Sequence, residues 1–428
     1  MAPLILFIVA ATLLAIGVPV GISLGLGIIA VALGFGTTNL TFLAQSMYSG
    51  FESLPLTAIP CFMLAGAVME TGGLSKRLVN VADKMFGSTI GGLGTVTVVA
   101  CLFFGAISGS GPATVAAIGG IMIPYMVKAN YDRTYATGLS AVAGGLGVIM
   151  PPSIPLVVYG VATNTSIGDL FLAGIVPAFI VAAFLTATNI FLSKRAGYLG
   201  NGESFSIKEL FKAIWDAKWA LFMPIIILGG IYGGIFTPTE AAVIATFYGI
   251  IVGLFIYREL SVKDIWTMLV KNTSFVGGIM LTFAPAAAMG AILSLLQIPQ
   301  AITGFLFGIS DSKIIILLIV NVFLLFVGMV MDTTSANIIF SPILLVALKP
   351  YGIDPVHFGL LMTVNLAIGF VTPPVAANLF VASGMTGIPL DKIVRKAAPF
   401  IVAMFAALLI LTYVPETSIG ILRFFGNK

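Results

Sequence analysis

Two proline-rich segments lie inside apolar sequence, where the backbone groups they expose could bind an ion or an anionic substrate. Residues 144–160 read GGLGVIMPPSIPLVVYG, and residues 366–384 read LAIGFVTPPVAANLFVASG. Because proline lacks an N–H and breaks a helix, each segment leaves carbonyl oxygens and half-helix ends without intrahelical partners. Carbonyl oxygens can bind Na⁺, and the positive N-terminal end of a half-helix can face an anion. A proline kink that only shapes helix packing is the alternative interpretation.

Polar residues precede each of these segments. Residues 105–120 (GAISGSGPATVAAIGG) contain hydroxyl groups and a Gly-Pro pair, and residues 326–343 (FVGMVMDTTSANIIFSPI) contain Asp332. An ionisable residue within a membrane segment is a functional candidate, as the partner of a cation or as a proton carrier. Two structural roles stay open. Asp332 could cap a helix that begins beside Thr333, and the small residues of the first segment could allow close helix packing.

The composition predicts an integral membrane protein. Of the 428 residues, 59% are hydrophobic and 8% are charged, whereas soluble domains are about one quarter charged. The uncharged runs 85–127, 134–168 and 272–310 each exceed the roughly 20 residues that one helical span needs. Each run must therefore hold more than one membrane element, and we expect the first run to turn back at SGSGP, residues 108–112.

The residue inventory argues against several other classes of function. One histidine, His357, and two cysteines are too few for a transition-metal site or a histidine-based catalytic triad. A net charge of +4 that is spread along the chain gives no support for nucleic-acid binding. An intramembrane protease would need a second acid or a serine–base pair within the apolar runs, and Asp332 has no such partner. We therefore predict no enzymatic activity, and no cofactor apart from a coupling ion.

The broken segments occupy equivalent places in two similar halves of the chain. Gly147 has its counterpart 222 positions later in Gly369, and Pro151–Pro152 has its counterpart in Pro373–Pro374. The same spacing relates three further pairs: Asp132 and Asp354, Asp169 and Asp391, and Pro177 and Pro399. We predict two membrane repeats, residues 1–193 and 219–428. The polar connector between them, residues 194–218, is placed in the cytoplasm by the positive-inside rule.

Matched breaks in repeated halves are typical of secondary transporters, whose binding sites lie at such breaks. Non-helical backbone persists at membrane depth only where it is buried in protein or lines a watery cavity. We therefore predict an all-α integral membrane protein with two inverted repeats that contain broken helices.

The motifs together resemble the large membrane subunit of tripartite ATP-independent periplasmic (TRAP) transporters over essentially the whole chain. The resembling stretches are SGSGPATVAAIGGIMIP, GGLGVIMPPSIPLVVYG, TPTEAA, GMVMDTTSANIIFSPIL and GFVTPPVAANLFVASG. The resemblance implies a multi-pass protein of the bacterial inner membrane that imports an organic acid by symport with Na⁺. It also implies an elevator-type fold, in which a transport domain with two re-entrant hairpins slides through the lipid bilayer against a fixed scaffold.

The resemblance further implies two protein partners: a small four-helix TRAP membrane subunit and a soluble periplasmic substrate-binding protein. Among family members, overall similarity favours the sialic-acid transporters. A stand-alone ion-coupled carrier of carboxylates or dicarboxylates, with the same general architecture and no partner protein, is the alternative function.

The resemblance also assigns site residues. It places hairpin tips near 108–112 and 331–335, which close against the broken helices at 144–152 and 366–374, with one Na⁺ held by each pair. The ligands expected for the first ion are Ser108 and Ser110, with backbone oxygens around Gly144, Gly147 and Pro151. Those expected for the second ion are Asp332, Thr333 and Thr372, with backbone around Gly369. The residues expected to contact substrate are Ser153, Tyr159 and Asn378.

Overall fold

The chain folds into helices throughout the part that the structure describes. The structure is a computed structural model that describes residues 2–36, 38–52 and 54–425, and every regular element in these ranges is helical. Within the same ranges, seven helices are long and apolar enough to cross a membrane, and up to nine if two bent helix pairs each count as one span. The predicted all-α membrane fold is confirmed.

The helices of the first half are α1 (Ala2–Ala15), α2 (Val20–Phe35), α3 (Leu40–Phe51), α4 (Ala58–Thr71), α5 (Leu74–Phe86), α6 (Gly92–Ser108), α7 (Gly111–Thr114), α8 (Gly120–Lys128), α9 (Arg133–Ala143), α10 (Leu146–Ile149), α11 (Ile154–Thr163) and α12 (Ile167–Ala196). A π-helical turn, Val115–Gly119, joins α7 to α8, so helical backbone runs from Gly111 to Lys128.

The remaining helices are α13 (Ile207–Asp216), α14 (Lys218–Tyr232), α15 (Pro238–Ile251), α16 (Val262–Leu295), α17 (Ile298–Ile309), α18 (Lys313–Val330), α19 (Thr333–Leu348), α20 (Pro355–Gly369), α21 (Ala377–Thr386), α22 (Leu390–Tyr413) and α23 (Glu416–Phe425). The predicted connector therefore contains a helix of its own, α13. The TPTE motif at the start of α15 forms a capping box between Thr237 and Glu240, so this glutamate has a structural role at the helix start.

Each half contains a helical hairpin that turns at the expected place. In the first hairpin, α6 runs antiparallel to α7 and α8, with the Ser108 and Thr114 hydroxyls 3.0 Å apart at the tip and Thr97 Oγ1 3.4 Å from Met126 Sδ near the base. In the second hairpin, α18 and α19 turn back between Val330 and Thr333. The predicted tips near 108–112 and 331–335 are thus observed as breaks of two residues.

Each half also contains a broken helix. In the first half, helical backbone stops after Ile149 and resumes at Ile154; in the second half, it stops after Gly369 and resumes at Ala377. The Pro151–Pro152 and Pro373–Pro374 peptide bonds within these breaks are both cis. In the second half the helix extends through 366–369, so its break begins later than the sequence predicted.

The two halves interlock reciprocally around the broken helices. Helix α12 of the first half packs on α20 of the second half, and α22 of the second half packs on α9 of the first. Likewise α11 packs on the hairpin helix α19, while α21 packs on α7 and the π-turn of the other hairpin. Exchanging the halves reproduces the same set of contacts, as expected for repeats related by a pseudo-two-fold axis.

The helices α1–α4 and α14–α16, which we call the outer group, pack largely on one another beside the hairpins. The outer helices of the first half differ from those of the second half in one bend. The first half has two helices, α3 and α4, bent by 54° at their junction, where the second half has the single 34-residue helix α16. The outer group meets the hairpins mainly through α4 on α6 and α16 on α19.

Candidate functional site

The tip of the first hairpin gathers three oxygen atoms. The Ser108 hydroxyl lies 3.0 Å from the Thr114 hydroxyl and 3.4 Å from the Ser110 carbonyl oxygen, to which Thr114 also donates at 2.8 Å. The cluster forms because the chain reverses at Gly109, whose φ of +58° suits glycine. Thr114 was not among the expected ligands, although its position four residues after Ser110 on a new helix predicts that it reaches the Ser110 carbonyl.

The first broken helix approaches this oxygen cluster without an intervening side chain. A Cβ on Gly147 would lie 2.2 Å from Thr114 Oγ1 and 2.6 Å from the Ser110 carbonyl oxygen, and one on Gly144 would lie 3.3 Å from the Gly111 oxygen. Glycine is therefore required at Gly147 for so close an approach. Ser108, Ser110, Gly144 and Gly147 come together as the resemblance implied.

The Pro151 ring points away from this cluster, while the backbone beside it reaches the hairpin tip, since a Cβ on Gly109 would lie 2.9 Å from the Pro152 carbonyl oxygen. The Pro151 ring packs against Gly174 of α12, where a Cβ would be 2.8 Å from Pro151 Cγ. The segment after it is tied to the hairpin tip through a hydrogen bond of 3.3 Å from the Ile154 N–H to the Gly109 carbonyl. Pro151 therefore shapes the break against α12, and the contact with the tip is made by the residues that follow.

The second hairpin tip is organised by Asp332. This residue is the N-cap of α19, and its side chain accepts a hydrogen bond of 3.0 Å from the Ser335 N–H. The carboxylate is exposed, whereas Thr333 is buried. Asp332 therefore caps α19, as one of the two interpretations of the sequence predicted. The second oxygen of its carboxylate still has lone pairs for another partner.

The second broken helix contacts its hairpin through backbone atoms. A Cβ on Gly369 would lie only 2.3 Å from the Gly328 carbonyl carbon, and the Val375 N–H donates to the Met329 carbonyl at 3.0 Å. Thr372, which follows the end of α20, donates its hydroxyl to the Ile368 carbonyl in the last turn of that helix. Gly369 thus meets the hairpin as expected, while the Thr372 oxygen can still accept from or coordinate a ligand.

A central cavity of about 260 Å³ lies between the two hairpin tips. Ser110 borders it from the first tip, and Asp332 and Thr333 border it from the second. The cavity wall also includes the first residues of four helices: Gly111 and Pro112, Ile154 and Pro155, Thr333 and Thr334, and Ala377. Four positive helix ends and one carboxylate thus face the same space.

Of the three expected substrate contacts, none has a side chain that borders the central cavity. Tyr159 is fully buried and donates its hydroxyl to the Pro355 carbonyl at 2.6 Å. Ser153 caps α11 and donates to the Val148 carbonyl at 2.5 Å. Asn378 is buried behind the first tip, where its Nδ2 donates to the Ala141 carbonyl and its Oδ1 has no partner. A Cβ on Gly111 would lie 2.9 Å from that oxygen.

The donors at the two tips are hydroxyl, carbonyl and carboxylate oxygens, which suit a hard cation. Within residues 2–36, 38–52 and 54–425, no group of three or more His, Cys, Asp or Glu side chains is arranged to hold a metal ion. Of the groups that the tips supply, only Asp332 carries a formal charge. The set therefore suits a monovalent cation better than a divalent one.

Comparison with protein families gives one match that spans nearly the whole chain. Residues 7–417 match the model for the DctM component of the tripartite ATP-independent periplasmic transporter. The chain is 45% identical over 411 residues to the isethionate TRAP transporter permease protein DctMQ of Oleidesulfovibrio alaskensis. That match covers 96% of this chain but only 65% of the relative, so the chain spans about two thirds of that relative's length.

Two further relatives match along nearly their full lengths. The C4-dicarboxylate TRAP transporter large permease protein DctM of Pseudomonas aeruginosa is 39% identical, and the sialic acid TRAP transporter large permease protein SiaM of Vibrio cholerae is 36% identical. Each match covers 94% of both chains.

Among solved structures, the Alcanivorax borkumensis YdaH transporter has a similar fold. The TM-score is 0.64 with 13% identity, and the match covers 91% of this chain and 89% of that one. The shared fold agrees with the hairpins and broken helices described above. Since the family model matches nearly the whole chain, the chain belongs to the DctM family of TRAP transporter large permeases, and is a multi-pass transporter of the bacterial inner membrane and not an enzyme.

Proposed function

We propose that the chain couples the inward movement of Na⁺ to the import of a small organic anion, which binds in the central cavity. One observation carries the proposal: four helix N-termini line a cavity that also contains the Asp332 carboxylate. Helix N-termini favour an anion through their dipoles, and the carboxylate favours a cation. A site for both charges in one cavity is what symport of an anion with Na⁺ requires.

The two hairpin tips are the proposed ion sites. At the first tip, the Ser108 and Thr114 hydroxyls and the Ser110 carbonyl supply oxygens beside the backbone of Gly147. At the second tip, the free lone pairs of Asp332 supply a charged ligand, with Thr333 and the 369–372 backbone nearby as further candidates. Each ion would join a hairpin to its broken helix, as oxygen ligands from two elements do when they share one cation.

The coupling follows from the charge of Asp332. Without a cation, this carboxylate repels an anion in the cavity and offsets the attraction of the helix ends. When Na⁺ neutralises the carboxylate, the net potential of the cavity becomes positive and the anion binds. Substrate would therefore bind well only after Na⁺, which prevents the anion from crossing alone.

The substrate class is proposed from the cavity and from the relatives together. The relatives are named for isethionate, C4-dicarboxylates and sialic acid, all of which are organic anions. The sialic acid relative is 36% identical, whereas the isethionate relative is 45% identical, so we propose a small sulfonate or carboxylate ahead of sialic acid. The helix ends recognise the negative charge without requiring an arginine.

The partners and the mechanism are proposed on family membership. We propose that a small membrane subunit and a periplasmic substrate-binding protein act with this chain. We also propose an elevator movement, in which the hairpins and broken helices slide against the outer group. The border of the central cavity favours this division, because Met63 of α4 borders a space that is otherwise enclosed by hairpins and broken helices.

The test is uptake by proteoliposomes that contain this chain and the small subunit, with the binding protein added outside. Labelled isethionate, succinate and sialic acid are compared under an inward Na⁺ gradient and with choline in place of Na⁺. We expect uptake of at least one anion in Na⁺ and none above background in choline. Equal uptake in choline, or uptake that requires ATP, would refute the proposal.

A further inference from the structure

A second cavity, of about 240 Å³, lies beside the first hairpin tip, and among the described residues it holds the only basic side chain that borders either cavity. Ser108 and Ser110 border it on the hairpin side, and Glu70 of α4 and Lys271 of α16 border it on the side of the outer group. Ser110 borders the central cavity as well. The two spaces therefore adjoin at the hairpin tip, and we call the second one the vestibule.

The vestibule lies on the connector's side of the membrane. Tyr257, shortly before α16, donates its hydroxyl to the Asp216 carbonyl at the end of α13, and Glu259 pairs with Arg77 of α5 at 2.8 Å. Lys271 follows the first residue of α16 by nine positions, which is about 14 Å at 1.5 Å per residue. Since the positive-inside rule predicts a cytoplasmic connector, Lys271 is expected toward the cytoplasmic end of α16.

The Lys271 ammonium is poorly compensated. No salt bridge within 4.0 Å and no hydrogen bond of its side chain occurs in the described part of the chain. Its neighbour Asn272 uses its amide on the Pro60 carbonyl. Glu70 is close enough to interact with Lys271 through space but does not form an ion pair with it. The remaining wall is apolar or glycine, so this exposed cation has capacity for an anion.

We propose that Lys271 forms a second, weaker subsite for the substrate anion, which the substrate occupies on its way from the central cavity to the cytoplasm. The inference rests on the proposed function, because it assumes that an organic anion is the substrate. The ammonium binds the sulfonate or carboxylate group, and Glu70 weakens that binding because it competes for the same cation. A weak subsite suits release, since an anion held tightly there would slow the return of the empty transporter.

The experiment measures inhibition from inside the vesicle. Proteoliposomes with the small subunit and external binding protein are loaded with increasing isethionate or succinate, and the internal concentration that halves Na⁺-driven uptake is determined. For Lys271→Gln we expect this concentration to rise about tenfold, as for the loss of one hydrogen bond to a charged group. Lys271→Arg should stay close to the wild type, because the charge is kept.

Two further variants make the result specific. Glu70→Gln removes the competing carboxylate, so we expect the half-inhibiting concentration to fall, which a damaged protein would not show. Lys263→Gln removes a charge from the exposed start of the same helix and should leave the concentration unchanged. The inference is overturned if Lys271→Gln matches the wild type, or if Glu70→Gln does not lower the concentration.

The outcome separates this inference from the proposed function. If the wild-type system takes up no anion in response to Na⁺, the proposed function fails. If the wild type transports normally and the Lys271 and Glu70 variants show no opposite shifts, only the subsite fails. Should Lys271→Gln not assemble, the Glu70→Gln result alone decides, because the predicted fall needs an intact transporter.

Discussion

At the residue scale, Asp332 combines a structural and a proposed ion-binding role in one carboxylate. It caps α19 through the Ser335 N–H and also borders the central cavity. Asparagine is as good an N-cap as aspartate, whereas alanine is not. The two roles can therefore be separated by substitution, because only the cap survives in the asparagine variant.

We expect Asp332→Asn to keep the fold but to lower the apparent Na⁺ affinity of uptake by about 10- to 100-fold, since a charged ligand is lost. Asp332→Ala also removes the helix cap, so its free energy of unfolding should fall by about 1 kcal/mol as well. Uptake against Na⁺ concentration and thermal unfolding in detergent measure the two effects. Asp132→Asn, at the N-cap of α9, is the matched control and should transport normally. Wild-type Na⁺ dependence in Asp332→Asn would remove this residue from the site.

Gly147 tests the first ion site in a different way. A Cβ there would overlap Thr114 Oγ1 and the Ser110 carbonyl oxygen, so Gly147→Ala should push the hairpin tip away from the broken helix. We expect a loss of about 1–3 kcal/mol, typical of overpacking, and a smaller rise in melting temperature when NaCl replaces choline chloride. Gly229→Ala in α14, where no atom lies within 4 Å of the added Cβ, is the control and should respond to Na⁺ as the wild type does.

Residue by residue, the sequence predicted backbone contacts better than side-chain directions. Gly147 and Gly369 were identified from their matched positions, because a break needs glycine wherever another element approaches closely. Tyr159 and Ser153 were expected in the substrate site but point into the protein, since the hairpin helix α19 from the other half packs on α11. That packing depends on how the two halves of the chain contact each other, and a local sequence pattern does not predict such a contact.

At the element scale, length and charge located the turn of the first hairpin, whereas the second tip was expected from the family resemblance. An uncharged run of residues 85–127 is too long for one span, and its turn lies at Gly109–Ser110, within the predicted SGSGP. The bend between α3 and α4, and its absence in α16, could not be predicted in this way. The first stretch has Pro55 and Pro60 at its bend, whereas α16 has no proline before Pro285, and proline favours a break or a kink.

The hairpins also give a prediction for the ion-bound state. If Na⁺ joins each tip to its broken helix, amide hydrogen exchange at residues 105–115 and 328–336 should slow in NaCl relative to choline chloride, because local opening then costs the ion-binding free energy. Mass spectrometry of peptides from the full-length protein measures this. Peptides from α2, in the outer group, serve as the reference. Equal exchange at both tips in the two salts would contradict ion binding there.

At the scale of the whole molecule, family membership fixes the general task, while the substrate and partners stay proposals. The relatives differ in the substrates for which they are named although they share this architecture. Helix ends that recognise charge leave few side chains to specify the rest of the substrate. Sequence motifs at the breaks therefore predicted a transporter of this family but not its substrate.

The need for partners distinguishes the proposed tripartite importer from a stand-alone carrier. We expect vesicles with this chain alone to show no uptake, and vesicles with both membrane subunits to transport only when the binding protein is present outside. Omitting one component at a time, under the same Na⁺ gradient, measures this. Uptake by the chain alone at the rate of the complete system would instead favour the carrier.

The reciprocal packing of the halves has a consequence for how the protein is made. Helix α9 is covered by α22, and α20 by α12, so neither broken helix has its permanent surroundings until the last part of the chain has left the ribosome. During synthesis the nascent first half lacks these later contacts, although α6, α7 and α12 of the same half already pack around its break. A chain truncated after α14 should therefore be less stable than the whole chain, because α9 would lack its contacts with α21 and α22.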